Sequence, residues 1–150
     1  MARRLILISL CLSQLFCSSP KGKSIVVNLA KQQMFCMEGQ KTIYTFPVST
    51  GKDGSLTPTG NFEIYTKTLN AVNKSLPDIV ELGPAMHFEH EHLFAIHGWP
   101  RDRDTREWLE KPEDIGHKRL SDGRIMLLRP DMDTVYHWAD IGTPLVIRAD

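Results

Sequence analysis

Cysteine is scarce and unevenly placed: of three in 150 residues, Cys11 and Cys17 fall near the N-terminus and only Cys36 lies beyond them. With a cleaved leader, no internal disulfide can form, and no thiol occurs anywhere after Cys36. An excess of charge is missing as well, since 18 basic residues balance 18 acidic ones to a formal net charge of zero. Without a basic footprint to neutralise phosphates, no nucleic acid is expected as a partner. Also absent are internal repeats, low-complexity segments and a membrane-spanning run; the apolar stretch Leu5 to Leu12, continued through Leu15 and Phe16, is too short to cross a bilayer.

What is present is one domain's worth of chain. A composition that is 41% hydrophobic over 150 residues supports one well-buried core, not two. Arg3 and Arg4 ahead of the apolar stretch, and Cys17, Ser18 and Ser19 after it, have the order of a signal peptide over residues 1–19. A buried helix there would have only Ser9, Ser13 and Gln14 for a polar face. The expectation is an exported protein of the periplasm or cell envelope. The alternative leader is that of a lipoprotein, with membrane attachment only through a lipid at Cys17, although bulky Phe16 precedes it where such sites carry a small residue. Residues 20–23 read as a short tether and 24–150 as the domain.

Within the domain, β-branched and apolar residues predict strands over Ile25 to Leu29 and Met34 to Met37, and alternation at Tyr44, Phe46 and Val48 predicts a third in an antiparallel meander. Turn signals at Gly51 to Gly54 and Thr57 to Gly60 lead into a strand at Phe62 and Ile64. Leu69 to Pro84 has no clear period and reads as a long surface loop. Ala85 to Phe88 and Leu93 to Ile96 read as strands. Asp104 to Leu109 reads as a short helix, and Pro130 to Trp138 as a longer one, with Pro130 in its first turn and Met132, Val135, Tyr136 and Ala139 on one face. Leu145 to Ile147 closes the chain as a strand. The fold class expected is mainly β, a sandwich or barrel-like sheet with one or two short helices.

Four stretches in this order, Ile25-Val26-Val27-Asn28-Leu29 with Glu38-Gly39, Phe46 to Gly51 with Thr57-Pro58-Thr59-Gly60-Asn61-Phe62, Ile96-His97-Gly98, and Gly142-Thr143-Pro144-Leu145-Val146-Ile147, resemble the L,D-transpeptidase (YkuD) family of bacterial cell-wall enzymes. That resemblance implies a YkuD-like β-sandwich or barrel and peptidoglycan stem peptides as partners, with active cell-wall enzymes as a second class of partner. The family signature Ser-His-Gly-Cys-(Ile/Val)-Arg-Leu corresponds to Ser121-Asp122-Gly123-Arg124-Ile125-Met126-Leu127. Arg124 thus takes the position of the nucleophilic cysteine and Asp122 that of the histidine. The interval from His97 to Ser121 is longer than usual in the family, as an inserted loop would make it.

Transpeptidation of that kind needs a thiolate activated by a neighbouring imidazole. A guanidinium stays protonated and is not a nucleophile, and Cys36 on an early strand reads as a small buried hydrophobe. Three readings of the substituted pair stay open: an Asp122–Arg124 ion pair plugging the pocket, Arg124 binding a stem-peptide carboxylate with its planar fork, or a solvated surface pair. Ser121 with His97 as general base is the remaining catalytic candidate, against a supporting serine and a histidine hydrogen-bonded at a strand end. The substrate-binding set expected is Gly98, Trp99, Gly123 and Arg124, with Trp99 lining the groove; Trp108 and Trp138 join it in a stacking platform if they converge there. The run Met86 to His92 contains zinc-type ligands, but a polar connection between strands accounts for it. No metal and no cofactor are expected.

Overall fold

A computed structural model describes residues 22–73, 79–91 and 93–150; the leader, the start of the tether and His92 lie outside the described residues. Among the described residues, ten strands form two sheets and one α-helix packs against the second. The first has the order β3-β2-β1-β10-β4, from β1 (Lys23–Asn28), β2 (Gln33–Glu38), β3 (Lys41–Pro47), β4 (Gly60–Glu63) and β10 (Pro144–Arg148). The second has the order β5-β6-β7-β9, from β5 (Thr66–Asn73), β6 (Val80–His87), β7 (Ala95–Gly98) and β9 (Ile125–Leu127), with β8 (Arg101–Asp102) paired to β6. The expected mainly-β class is what the chain adopts, and the opening meander β1-β2-β3 is antiparallel as its alternation predicts.

Period-two burial explains the first sheet. Ile25 and Val27 on β1, Met34 and Cys36 on β2, and Leu145 and Ile147 on β10 all point inward and are almost fully buried. They meet Met86, Ile96, Ile125 and Leu127 from the second sheet in one apolar cluster. The helix α1 (Arg129–Trp138) packs on β6 and β7 and adds Met132, Val135 and, just past its end, Ala139, each without solvent exposure. Pro130 sits in its first turn, and the carbonyls at its C-terminal end accept from lysines: Lys67 Nζ donates to Ala139 O at 2.7 Å, and Lys23 Nζ to Trp138 O while also pairing with Asp140 at 2.9 Å. Lys23, expected in the tether, is therefore the buried first residue of β1.

Two sequence expectations need correction. Leu69 to Pro84 is largely strand: β5 pairs with β6, and residues 74–78 between them are outside the described set. The period is hidden because β5 is an edge strand whose register slips around Ala71, and because Gly83, at φ +72°, and Pro84 sit inside β6. Asp104 to Leu109 is not helical. Asp102 Oδ1 accepts from Asp104 N at 2.9 Å and Thr105 N at 2.7 Å, a local turn, and Arg106 follows at φ +66°, outside helical space. The helical turn in this region is instead a 3-10 turn at Pro112–Asp114.

The long interval after His97 folds as a small unit. Trp99, Ile115 and Met126 form a second buried cluster, joined by Leu120 and Leu128.

Candidate functional site

His97 and the 121–127 segment come together because β7 and β9 are parallel neighbours, with His97 in register with Met126. Two adjoining cavities open here, about 140 and 200 Å³, and His97, Arg124, Asn73 and Leu82 line both. Ser121 and Asp122 line the larger. Ser121, Asp122, Arg124 and His97 therefore border one groove, and Gly123 and Gly98 are the buried backbone positions beside it.

The loop Ser121 to Arg124 is fixed from several sides. Ser121 N donates to Thr50 O at 3.1 Å, Lys52 N donates to Ser121 O at 2.9 Å, and the Ser121 hydroxyl donates to Arg124 O at 2.5 Å. Thr57 Oγ1 accepts from Gly51 N at 2.8 Å and donates to Arg124 O at 3.4 Å, so the Phe46 to Gly51 and Thr57 to Gly60 segments are tied to each other and to the loop. Gly51 is required there: a Cβ would lie 2.2 Å from Ser55 O. Gly123, at φ +88°, turns the loop where a side chain would be strained and would also press on Phe94 at 2.8 Å.

His97 is 2% exposed, and its Nδ1 lies 2.8 Å from Gly98 O. A carbonyl only accepts, so Nδ1 carries the proton and Nε2 keeps its lone pair. Burial, opposed by that hydrogen bond and reinforced by the charge of Arg124, lowers its pKa from 6.5 to about 4. The imidazole is neutral near pH 7.

The Asp122–Arg124 ion pair does not form. Asp122, 73% exposed, pairs with Lys52 at 2.9 Å, while Arg124 Nε makes a long 3.5 Å bond to Leu93 O. The positive φ of Gly123 breaks the extended path that would have put both side chains on one side. Nor does Trp99 line the groove: it has no solvent exposure, and its indole N–H donates to Glu110 O at 2.8 Å. The three tryptophans do not converge. Trp138 donates to Glu38 Oε1 at 3.2 Å, and Trp108 lies against Arg101 and Arg129.

Cys36 is fully buried on β2 in the other sheet, and burial pushes its thiol up to about 12. Of the run Met86 to His92, His92 lies outside the described residues, and the others spread apart, with His87 lining a groove cavity, His90 against the Tyr65 ring at 4.2 Å, and Glu89 accepting from Glu91 N and Leu93 N. Among the described residues no group of three or more His, Cys, Asp or Glu is placed to hold a metal ion. Sequence reasoning missed Lys52, Asn73 and Leu82, which reach the groove from strands and turns that carry no local motif.

A family model described as the L,D-transpeptidase catalytic domain matches residues 22–147. Among solved structures, the chain is similar to an L,D-transpeptidase from Mycobacterium smegmatis, with a TM-score of 0.68 and 18% identity over 85% of this chain and 58% of that one. It is also similar to one from Mycobacterium tuberculosis H37Rv, at 0.69 and 17% over 84% and 57%, and to one from Stackebrandtia nassauensis, at 0.65 and 22% over 89% and 58%. The chain thus spans less than three fifths of each of these proteins, and at such identities the likeness is one of fold. Comparison with curated protein sequences finds no match.

Proposed function

The chain belongs to the L,D-transpeptidase (YkuD) family, and from that premise we propose that it is a cell-envelope protein holding peptidoglycan stem peptides in the His97–Arg124 groove without cysteine-dependent transpeptidation. The observation that carries this reading is Arg124 itself. Its side chain lines the same cavity as His97, Ser121 and Asp122, and the correspondence of residues 121–127 with the family signature supports reading it as the replacement of the nucleophile. A guanidinium cannot attack a carbonyl, but it can grip a carboxylate with two parallel N–H donors. Cys36 offers no substitute, being in the opposite sheet with a thiol that stays protonated. The domain then serves as a wall-binding module or as a regulator of active cell-wall enzymes. The leader expected over residues 1–19 fits a place in the periplasm or envelope, free or lipid-anchored at Cys17.

An active transpeptidase or peptidase using Ser121 and His97 is the second reading. In its favour, the two residues share a cavity and Nε2 of His97 is an unprotonated base. Against it, the Ser121 hydroxyl already spends its proton on Arg124 O.

Incubation of the protein with tetrapeptide muropeptides, following binding and products by mass, separates the two. Binding without turnover is expected. Products that disappear in Ser121→Ala would establish the serine enzyme instead.

A further inference from the structure

A cavity of about 560 Å³, larger than either compartment of the groove, lies beside it on the outer part of the second sheet. Among the described residues, Arg101, Arg103, Arg106 and Arg129 line it, with Glu81 as the one carboxylate. Among these described lining residues, four guanidinium charges less one carboxylate leave a net charge of three, on a chain whose total is zero. Like charges gathered in a half-enclosed space repel, and burial adds a desolvation cost. Desolvation and the charges of Arg101 and Arg106, opposed by Glu81 and Asp133, move the Arg129 pKa downward.

The fold holds the cluster together in identifiable ways. Glu81 Oε2 accepts from Arg101 Nε at 2.8 Å, and Arg106 Nη1 reaches both Glu81 oxygens at 2.9 Å. The Trp108 ring lies 6.0 Å from the Arg101 guanidinium and 5.9 Å from that of Arg129. Arg129 is threaded in from the start of α1 past two glycines. A Cβ on Gly83 would lie 2.5 Å from its Nη1, and one on Gly98 would lie 3.0 Å from its Cδ. Its hydrogen bonds go to neutral carbonyls, Trp99 O at 3.0 Å and Glu81 O at 2.8 Å, which position the side chain without cancelling its charge.

We propose that this cavity is a binding site for a compact, multiply charged oxyanion, specifically a diphosphate group. A single carboxylate would leave about two positive charges uncompensated, whereas a diphosphate brings roughly three negative charges in one small group whose oxygens can meet several arginine forks at once. Carboxylates strung along a peptide spread the same charge over too great a length for one cavity. The site shares Ala71 and Val72 with the nearer groove compartment, so its occupant would sit next to whatever the groove holds. The inference does not depend on the groove's ligand.

The test is calorimetric titration of the full chain at fixed ionic strength with inorganic pyrophosphate, orthophosphate, a nucleoside diphosphate and tri-glutamate. Pyrophosphate is expected to bind at least tenfold more tightly than orthophosphate or tri-glutamate. Binding of the nucleoside diphosphate with similar affinity would identify an ester-linked source, and pyrophosphate binding alone a free anion. Arg106→Gln should weaken pyrophosphate at least tenfold while leaving muropeptide binding unchanged; Arg106 is 54% exposed, so that variant keeps its fold. Arg129→Gln should do the same, with the thermal transition reporting whether it folds. Equal affinity for all four anions, tighter binding of tri-glutamate, or pyrophosphate affinity indifferent to Arg106→Gln would overturn the assignment.

Discussion

The imidazole of His97 and the guanidinium of Arg124 open on the same groove, one carried by β7 and the other by the residue just ahead of its parallel partner β9. A fixed cation thus stands beside a buried imidazole that is neutral near pH 7, which favours negative charge in the groove.

The first prediction concerns acid stability. Since the folded pKa of His97 is lowered to about 4 from 6.5, the unfolded chain binds the extra proton between those values. Stability contributed by the neutral ring is complete above the upper value and is lost as pH falls toward the lower one. Urea titrations of the wild type and His97→Asn from about pH 7 to about pH 4 should show the wild type losing on the order of 3 kcal/mol relative to the variant, at about 1.4 kcal/mol per pKa unit. Parallel pH profiles would contradict the buried neutral histidine.

Arg124→Gln should weaken stem-peptide binding by about tenfold or more, the loss expected for a charge-assisted hydrogen bond worth about 1.5–3 kcal/mol. Muropeptide affinity by calorimetry measures it. Arg124→Cys is expected to bind poorly as well and to show no transpeptidation. Asp122 is exposed and paired with Lys52, and it offers no imidazole beside residue 124. Product formation by that single variant would show that His97 is sufficient as a base.

Cys36 should resist alkylation in the native protein and react only on unfolding, because it is buried and its thiol is pushed up to about 12. Mass mapping of the Cys36 peptide against time in increasing urea checks this. Labelling at a rate independent of urea would place the thiol in a locally opening segment.

Gly123→Ala should cost about 1–3 kcal/mol, combining a left-handed backbone with a Cβ 2.8 Å from the Phe94 ring. Chemical denaturation gives the value. Gly39→Ala, also at positive φ but with open space around it, isolates the conformational share of that cost.

The strands of the first sheet were readable because one face of each is buried and the other is not, so Ile25, Val27, Leu145 and Ile147 fall at the right period. Helix α1 was readable from Pro130 and its apolar face for the same reason. Strand β5 was not, since an edge strand with slipped register carries no sustained alternation and Gly83 with Pro84 imitates a loop. At the site, the motif brought His97 and Ser121 to Arg124 onto one groove, but side-chain direction depended on the positive φ of Gly123, which parted Asp122 from Arg124. Trp99 was misassigned because a tryptophan beside a motif histidine reads equally well as rim or core, and only the packing of Ile115 and Met126 over it decides the matter. The arginine cavity had no motif at all, drawing Glu81, three neighbouring arginines and Arg129 from separate elements.

Strand β10 lies between β1 and β4, hydrogen-bonded to both. β4 thus joins the sheet only through β10, and without residues 144–148 nothing bridges it to β1. Detaching that one strand would cut the sheet in two, parting β4 from the meander β1-β2-β3, so the cohesion of segments far apart along the chain hangs on a five-residue seam.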